Sequence, residues 1–259
     1  MLPRLITARL VVVVAALLAA ALSTASPARA VAHGMPATAG QHPFAVKLTM
    51  TQIPRQDGTF YDSACSGALI SPTWIITAGH CFHDVNRNRV SGPTPYATTA
   101  TLNTVDVTQS SGEVRTVTWV QQSKSTDIAV ARLSAPVADV TPLGLSKVKP
   151  STGTLLTLAG WGATSSVNPM PSSQLNLGVV RISSVRASTV MVVGYAPSAD
   201  TSACVYDSGA PYFTRPATGA PLLVSVESDG PDCPHTTAET TARVDNVASW
   251  IKSVVTDLP

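Results

Sequence analysis

Charge is scarce in this chain. Only 12% of its 259 residues are Asp, Glu, Lys or Arg, and they form no basic stripe. That absence argues against nucleic acid and anionic lipid as partners, because both are bound through clustered Lys and Arg. A membrane-spanning run is missing too: the apolar stretch VVVVAALLAAAL (Val11 to Leu22) falls short of the ~20 residues a span needs. No long helical periodicity appears inside the chain, and no fixed-period repeat, which sets aside helical bundles and solenoids.

What stands at the beginning is an export signal. Arg4 and Arg9 precede the apolar run, and small residues follow it up to Ala28-Arg29-Ala30. This is the pattern of a secretory signal peptide over residues 1–30 with an A-x-A cleavage site. The expectation is a secreted, extracellular protein beginning at Val31, with no membrane association after cleavage. Cleavage after Ala25 would instead leave SPARA as a short propeptide. Residues 31–259 carry 14 basic and 15 acidic side chains, a formal charge of −1. Their number is ample for one large all-β unit or two small lobes.

Cysteines are few, but their count of four is even. In an exported chain that predicts two disulfides, with three connectivities open. Pairing Cys65 with Cys81 and Cys204 with Cys233 makes two local clamps, each contributing about 3–4 kcal/mol in the loop-entropy description. A zinc site from Cys65, His80, Cys81 and His83 is the rival. Adjacent His80 and Cys81 cannot easily both face one ion, and an oxidising compartment favours the bridge.

Short apolar or β-branched runs recur between Gly, Pro, Ser and Asn punctuation: PFAVKLTM, GALISPTWIITA, TVTWV, DIAVARL, TLLTLAGWG, LGVVRI, TVMVVG and APLLVSV. This is an all-β barrel or sandwich pattern. The stretch Pro142 to Gly153 is a candidate connector between halves. One helix is expected at the end, capped by Asp245 or Asn246, with Val247, Trp250, Ile251, Val254, Val255 and Leu258 on one apolar stripe.

Chemistry enters with TSACVYDSGAPY, residues 201–212, where Ser208 stands between an acid and a glycine. Hydrolysing an amide needs a nucleophile, a base and a place for developing negative charge. Among the five histidines, His80 has the most informative setting, after the strand WIITA and beside Cys81. A base must be held within ~3 Å of the hydroxyl, so a rigid anchor suits it. His83 lies in the polar segment HDVNRNR and is expected in solvent. Asp127 heads DIAVARL, a run that reads as a strand packed on both faces, where a carboxylate needs a partner.

These strings, taken in order, resemble the trypsin/chymotrypsin-like serine proteases. The matching words are VAHG (31–34), SGALISPTWIITAGHC (66–81), TDIAVARL (126–133), AGWG (159–162), CVYDSGAP (204–211), PLLVSV (221–226) and ARVDNVASWI (242–251). The order His, Asp, Ser is the one this family uses. The resemblance implies two antiparallel six-stranded Greek-key β-barrels, about 31–145 and 146–244, with the site between them and a C-terminal helix over about 246–258. It implies a serine endopeptidase acting on protein or peptide substrates, with protein protease inhibitors as further partners. No metal or organic cofactor is implied.

Carried over residue by residue, the resemblance makes His80 the general base, Asp127 its orienting acid and Ser208 the nucleophile. The backbone N–H groups of Tyr206 and Ser208 form the oxyanion hole, and Asp207 binds the Val31 ammonium. Tyr206 stands where the family prefers glycine, which raises a second reading: a catalytically impaired, protease-like secreted binding protein. The specificity pocket is expected from Ser202 at its base, with Ser225, Val226 and Glu227 along one strand and Glu239 nearby. Ser225 matches the serine beside the triad, and exposed positions are equally open to Glu227 and Glu239.

Overall fold

A computed structural model describes residues 31–258 apart from 215 and 217, so the leader expected over 1–30 lies outside the described residues. Strand β1 (Met35–Pro36) comes first. The first barrel then uses β2 (Ala45–Pro54), β3 (Phe60–Ser71), β4 (Trp74–Ala78), β5 (Gly92–Pro93), β6 (Ala97–Leu102), β7 (Glu113–Gln122) and β8 (Ile128–Leu133). Its order is β7-β6-β2-β3-β4-β8, and a β7–β8 pairing closes the ring of six, with β5 attached to β7.

The second barrel uses β9 (Gly144–Leu145), β10 (Leu155–Gly160), β11 (Asn176–Val185), β12 (Thr189–Ala196), β13 (Pro211–Thr214), β14 (Leu222–Asp229) and β15 (Glu239–Arg243). Its ring runs β11-β10-β13-β14-β15-β12 and closes through β11–β12. The candidate connector thus contains a strand, β9, which runs parallel beside β14. Closure removes the exposed edges that an all-β chain would otherwise present.

The residue patterns explain the rings. In β6, ATTATL alternates, with Thr98, Ala100 and Leu102 turned inward. DIAVARL behaves as expected of a doubly covered strand, since Ile128, Ala129, Val130 and Ala131 are all inaccessible. Leu48, Leu69, Ile75 and Ile76 join them in the first core, and Val180, Val190, Val192 and Tyr212 fill the second.

The N-terminal segment crosses to the far barrel. β1 pairs with β11 through Met35 and Leu177, and Ala32 bridges Ser202. Val31 is thereby delivered into the second core. At the other end, α1 (Ala248–Val254) packs Ile251 on the body, with Val247 and Val255 buried at its flanks. Each such fully buried side chain is worth about 1.5–3 kcal/mol. The helix is shorter than expected and lacks a side-chain N-cap. Asp245 is engaged by Arg243 instead, and Asn246 donates to the Ala187 carbonyl.

Candidate active site

Asp127 sits at the mouth of β8 and His80 in the tight turn Gly79–Cys81 that follows β4. Because β4 and β8 pair from Trp74↔Arg132 to Ala78↔Ile128, the two residues are neighbours at the end of one ladder. His80 Nδ1 lies 2.7 Å from Asp127 Oδ2, and the His80 backbone N–H donates to Oδ1 at 2.9 Å. The Ser228 hydroxyl donates to Oδ2 at 2.8 Å. Burial works to raise the Asp127 pKa, but these hydrogen bonds and the charge of His80 hold it below the ordinary carboxylate value.

The turn is fastened on three sides. Cys65–Cys81 is a disulfide, Tyr96 donates its hydroxyl to the Cys81 carbonyl, and Gln122 Nε2 donates to the Gly79 carbonyl at 2.9 Å. Both clamps therefore form as the local pairing, Cys204 with Cys233 being the other. Their sulfurs are not available to a metal. His83 corrects its expectation. It is buried, with Nδ1–H donating to the Asp84 carbonyl at 2.7 Å and Nε2 accepting from Arg87 at 3.0 Å.

Ser208 lies between two left-handed residues, Tyr206 at φ +76° and Gly209 at φ +84°. A Cβ on Gly209 would stand 2.1 Å from Thr77 Oγ1 and 2.4 Å from the Ser66 carbonyl, so only glycine fits between the barrels there. The Tyr206 ring packs by the Cys204–Cys233 disulfide. The backbone N–H groups of Tyr206 and Ser208 donate to no group among the described residues. His80 and Ser208 line one cleft of about 220 Å³ without a direct hydrogen bond. Such bonds are commonly loose before substrate binds.

Asp207 points the other way and is fully buried. Gly162 N–H donates to Oδ1 at 2.8 Å, Cys204 N–H to Oδ2 at 3.0 Å, and the Val31 backbone N–H also reaches the carboxylate. Despite these bonds, burial pushes its pKa up to about 7, with Glu239 adding repulsion. Gly160 and Gly162 leave the space it occupies.

Of the pocket residues, Ser225 and Val226 depart from expectation, while Glu227 lines the cleft. Ser202 is buried, and its hydroxyl accepts the His235 N–H at 3.3 Å; its neighbours Ala203, Cys204 and Val205 line the cleft. Ser225 is inaccessible and bonded to Thr241, while Val226 lies in the core. The serine that touches Asp127 is Ser228, three places on, and Ser228 and Asp229 at the end of β14 line the cleft together with Gly230 just beyond it.

Glu227 and Glu239 do not face solvent. The Tyr212 hydroxyl lies 2.7 Å from a carboxyl oxygen of each, and the Ala203 N–H donates to Glu239 at 2.6 Å. One hydroxyl proton cannot be donated to both at once, and Glu227 also lines the cleft that His80 and Ser208 share. Glu239 holds an additional donor, the Ala203 N–H, which favours its charged form. Burial raises both pKa values, Glu239 to about 7 and Glu227 well above its usual range.

Comparison with known proteins accords with this geometry. The trypsin family model matches residues 31–251. Brachyurin of Leptuca pugilator is 36% identical over 122 residues, 43% of this chain and about half (51%) of brachyurin's own length. Trypsin alpha of Drosophila melanogaster is 26% identical over 75% of this chain and 79% of its own length. Serine protease 56 of Homo sapiens is 27% identical over 82% of this chain and 36% of its own. With a match that covers both barrels and the start of the terminal helix, the chain belongs to the trypsin-like serine protease family.

Proposed function

We propose that this protein is a secreted serine endopeptidase that cleaves peptide bonds through an acyl-enzyme on Ser208. The observation that carries the reading is the 2.7 Å contact of His80 Nδ1 with Asp127, made on the wall of the cleft that Ser208 also lines. In this account the Ser208 hydroxyl attacks the scissile carbonyl as His80 Nε2 takes its proton. Asp127 holds the tautomer and stabilises the imidazolium. The N–H groups of Tyr206 and Ser208, which donate to no group among the described residues, receive the developing oxyanion. His80 then returns the proton to the leaving amine, and water repeats the sequence to free the acid.

Activation is read from Val31. Cleavage after Ala30 converts its N–H into an ammonium beside Asp207, a buried acid suited to ionise against it. On this reading signal peptidase itself makes the active form. N-terminal sequencing of secreted material tests it, and active protein beginning at Ser26 would contradict it. The two disulfides suit an oxidising compartment.

Tyr206 at φ +76° favours the second reading, a binding protein with impaired catalysis. Left-handed backbone costs a non-glycine residue ~1–2 kcal/mol, which slows an enzyme without abolishing it. Hydrolysis of a mixed peptide library by purified protein beginning at Val31 decides between them. Cleavage that disappears in Ser208→Ala supports the endopeptidase; intact peptides throughout support the binder.

A further inference from the structure

Asp127 has a neighbour that the resemblance did not point to. The Arg89 guanidinium stands 3.6 Å from Asp127 Oδ1, the oxygen opposite the one that contacts the His80 ring. Arg89 is seated rather than free: its Nη1 donates to the Thr126 carbonyl at 2.8 Å, and its backbone bridges His83. The seat depends on Gly79. A Cβ there would lie 2.7 Å from Arg89 Nη1, 2.9 Å from Asp127 Oδ1 and 2.6 Å from Gln122 Oε1. Any side chain at residue 79 would therefore push the arginine, the glutamine or the aspartate away.

We propose that Arg89 is a positioning residue for Asp127, one that also sets the acid limit of the reaction. Its fixed charge offsets part of the field that the carboxylate exerts on the imidazole. A carboxylate shared with a cation and one left unshared then differ in how strongly they act across the 2.7 Å contact, and the pH profile of the reaction is where that difference is read. The other charged groups on this wall are Lys124, from the β7–β8 connection, and Asp229, from the end of β14. Among the described residues neither has an ion pair, and their opposite signs oppose one another. Of the three, Arg89 is the one paired with Asp127 itself.

Solvent screens the pair, since the Arg89 side chain is 33% exposed. Interaction through a high effective dielectric limits the expected displacement to about half to one pH unit.

This inference rests on the endopeptidase reading, and its test separates the two. The chain beginning at Val31 is titrated with a fluorophosphonate to count working sites. The pH dependence of kcat/KM on a peptide substrate is then measured for wild type, Arg89→Met and Arg89→Lys. In Arg89→Met the acid limb should move up by about half to one unit, and in Arg89→Lys it should stay near the wild-type position. If Arg89→Met does not fold, Arg89→Gln, which keeps a donor for the Thr126 carbonyl, carries the same expectation. A uniform loss of rate with an unmoved acid limb in fully titrating variants would overturn the inference alone. A wild-type protein that does not titrate would overturn the endopeptidase reading, and this inference with it.

Discussion

Val31 and Asp207 meet inside the second barrel: both are fully buried, and the Val31 backbone N–H reaches the Asp207 carboxylate. While residue 30 remains attached, that N–H is a neutral amide, and burial pushes the acid up to about 7. A raised carboxyl pKa stabilises the fold below the ordinary value near 4, and this contribution is lost as pH climbs towards 7. A chain that retains Ala30 should therefore lose several °C in Tm between pH 5 and pH 8 relative to a chain beginning at Val31. The other buried acids are common to both chains and cancel. Thermal melts across that range check it, and coincident profiles would argue against a charged pair in the processed protein.

Tyr206 offers a test with two opposite outcomes. Tyr206→Gly relieves the strain of φ +76°, and kcat should rise by about 5- to 30-fold, the equivalent of ~1–2 kcal/mol. Tyr206→Pro removes the N–H and cannot adopt positive φ, so kcat should fall by about 10²–10³. Single-turnover rates on an ester substrate measure both. Equal rates in the two variants would show that this N–H takes no part.

The two serines of β14 should separate cleanly. Ser228→Ala removes a hydrogen bond to a charged group, worth about 1.5–3 kcal/mol, and should lower kcat/KM by roughly 10–100-fold. Ser225→Ala breaks a bond to Thr241 inside the barrel and should lower Tm with little change in rate per folded molecule. Paired kinetics and melting measurements on both variants distinguish the registers.

Burial and the nearby carboxylates of Glu239, Asp207 and Asp229 raise the Glu227 pKa well above its usual range, against the hydrogen bond from Tyr212. Its raised pKa stabilises the protein below about 4.3 and ceases to do so as pH rises through the folded value. Glu227→Gln mimics the protonated acid. It should match wild type in Tm near pH 4 and exceed it by several °C at pH 8. A variant less stable at both pH values would show that the carboxylate is ionised in the fold.

Much of this arrangement was legible from short strings. DIAVARL and WIITA announced buried strands because their apolar runs leave no polar face, and the pairing of β4 with β8 places their ends together. Other features depend on long-range packing that no local pattern encodes. His83 reads as a solvated loop residue, yet Tyr61 and Arg87 fold over it. Glu227 and Glu239 look like surface acids until β13 sets the Tyr212 hydroxyl between them. Two serines three apart on β14 differ only in which one the barrel turns towards Asp127. The Asp245 cap was lost to Arg243, a competitor two residues away.

The central claim is that Ser208 is an activated nucleophile. Incubating the chain beginning at Val31 with a fluorophosphonate, then locating the adduct by peptide mass spectrometry, tests it most directly. The account predicts stoichiometric, pH-dependent modification of Ser208 that is absent in His80→Ala. An unmodified Ser208 in folded protein with a free Val31 amine would contradict it.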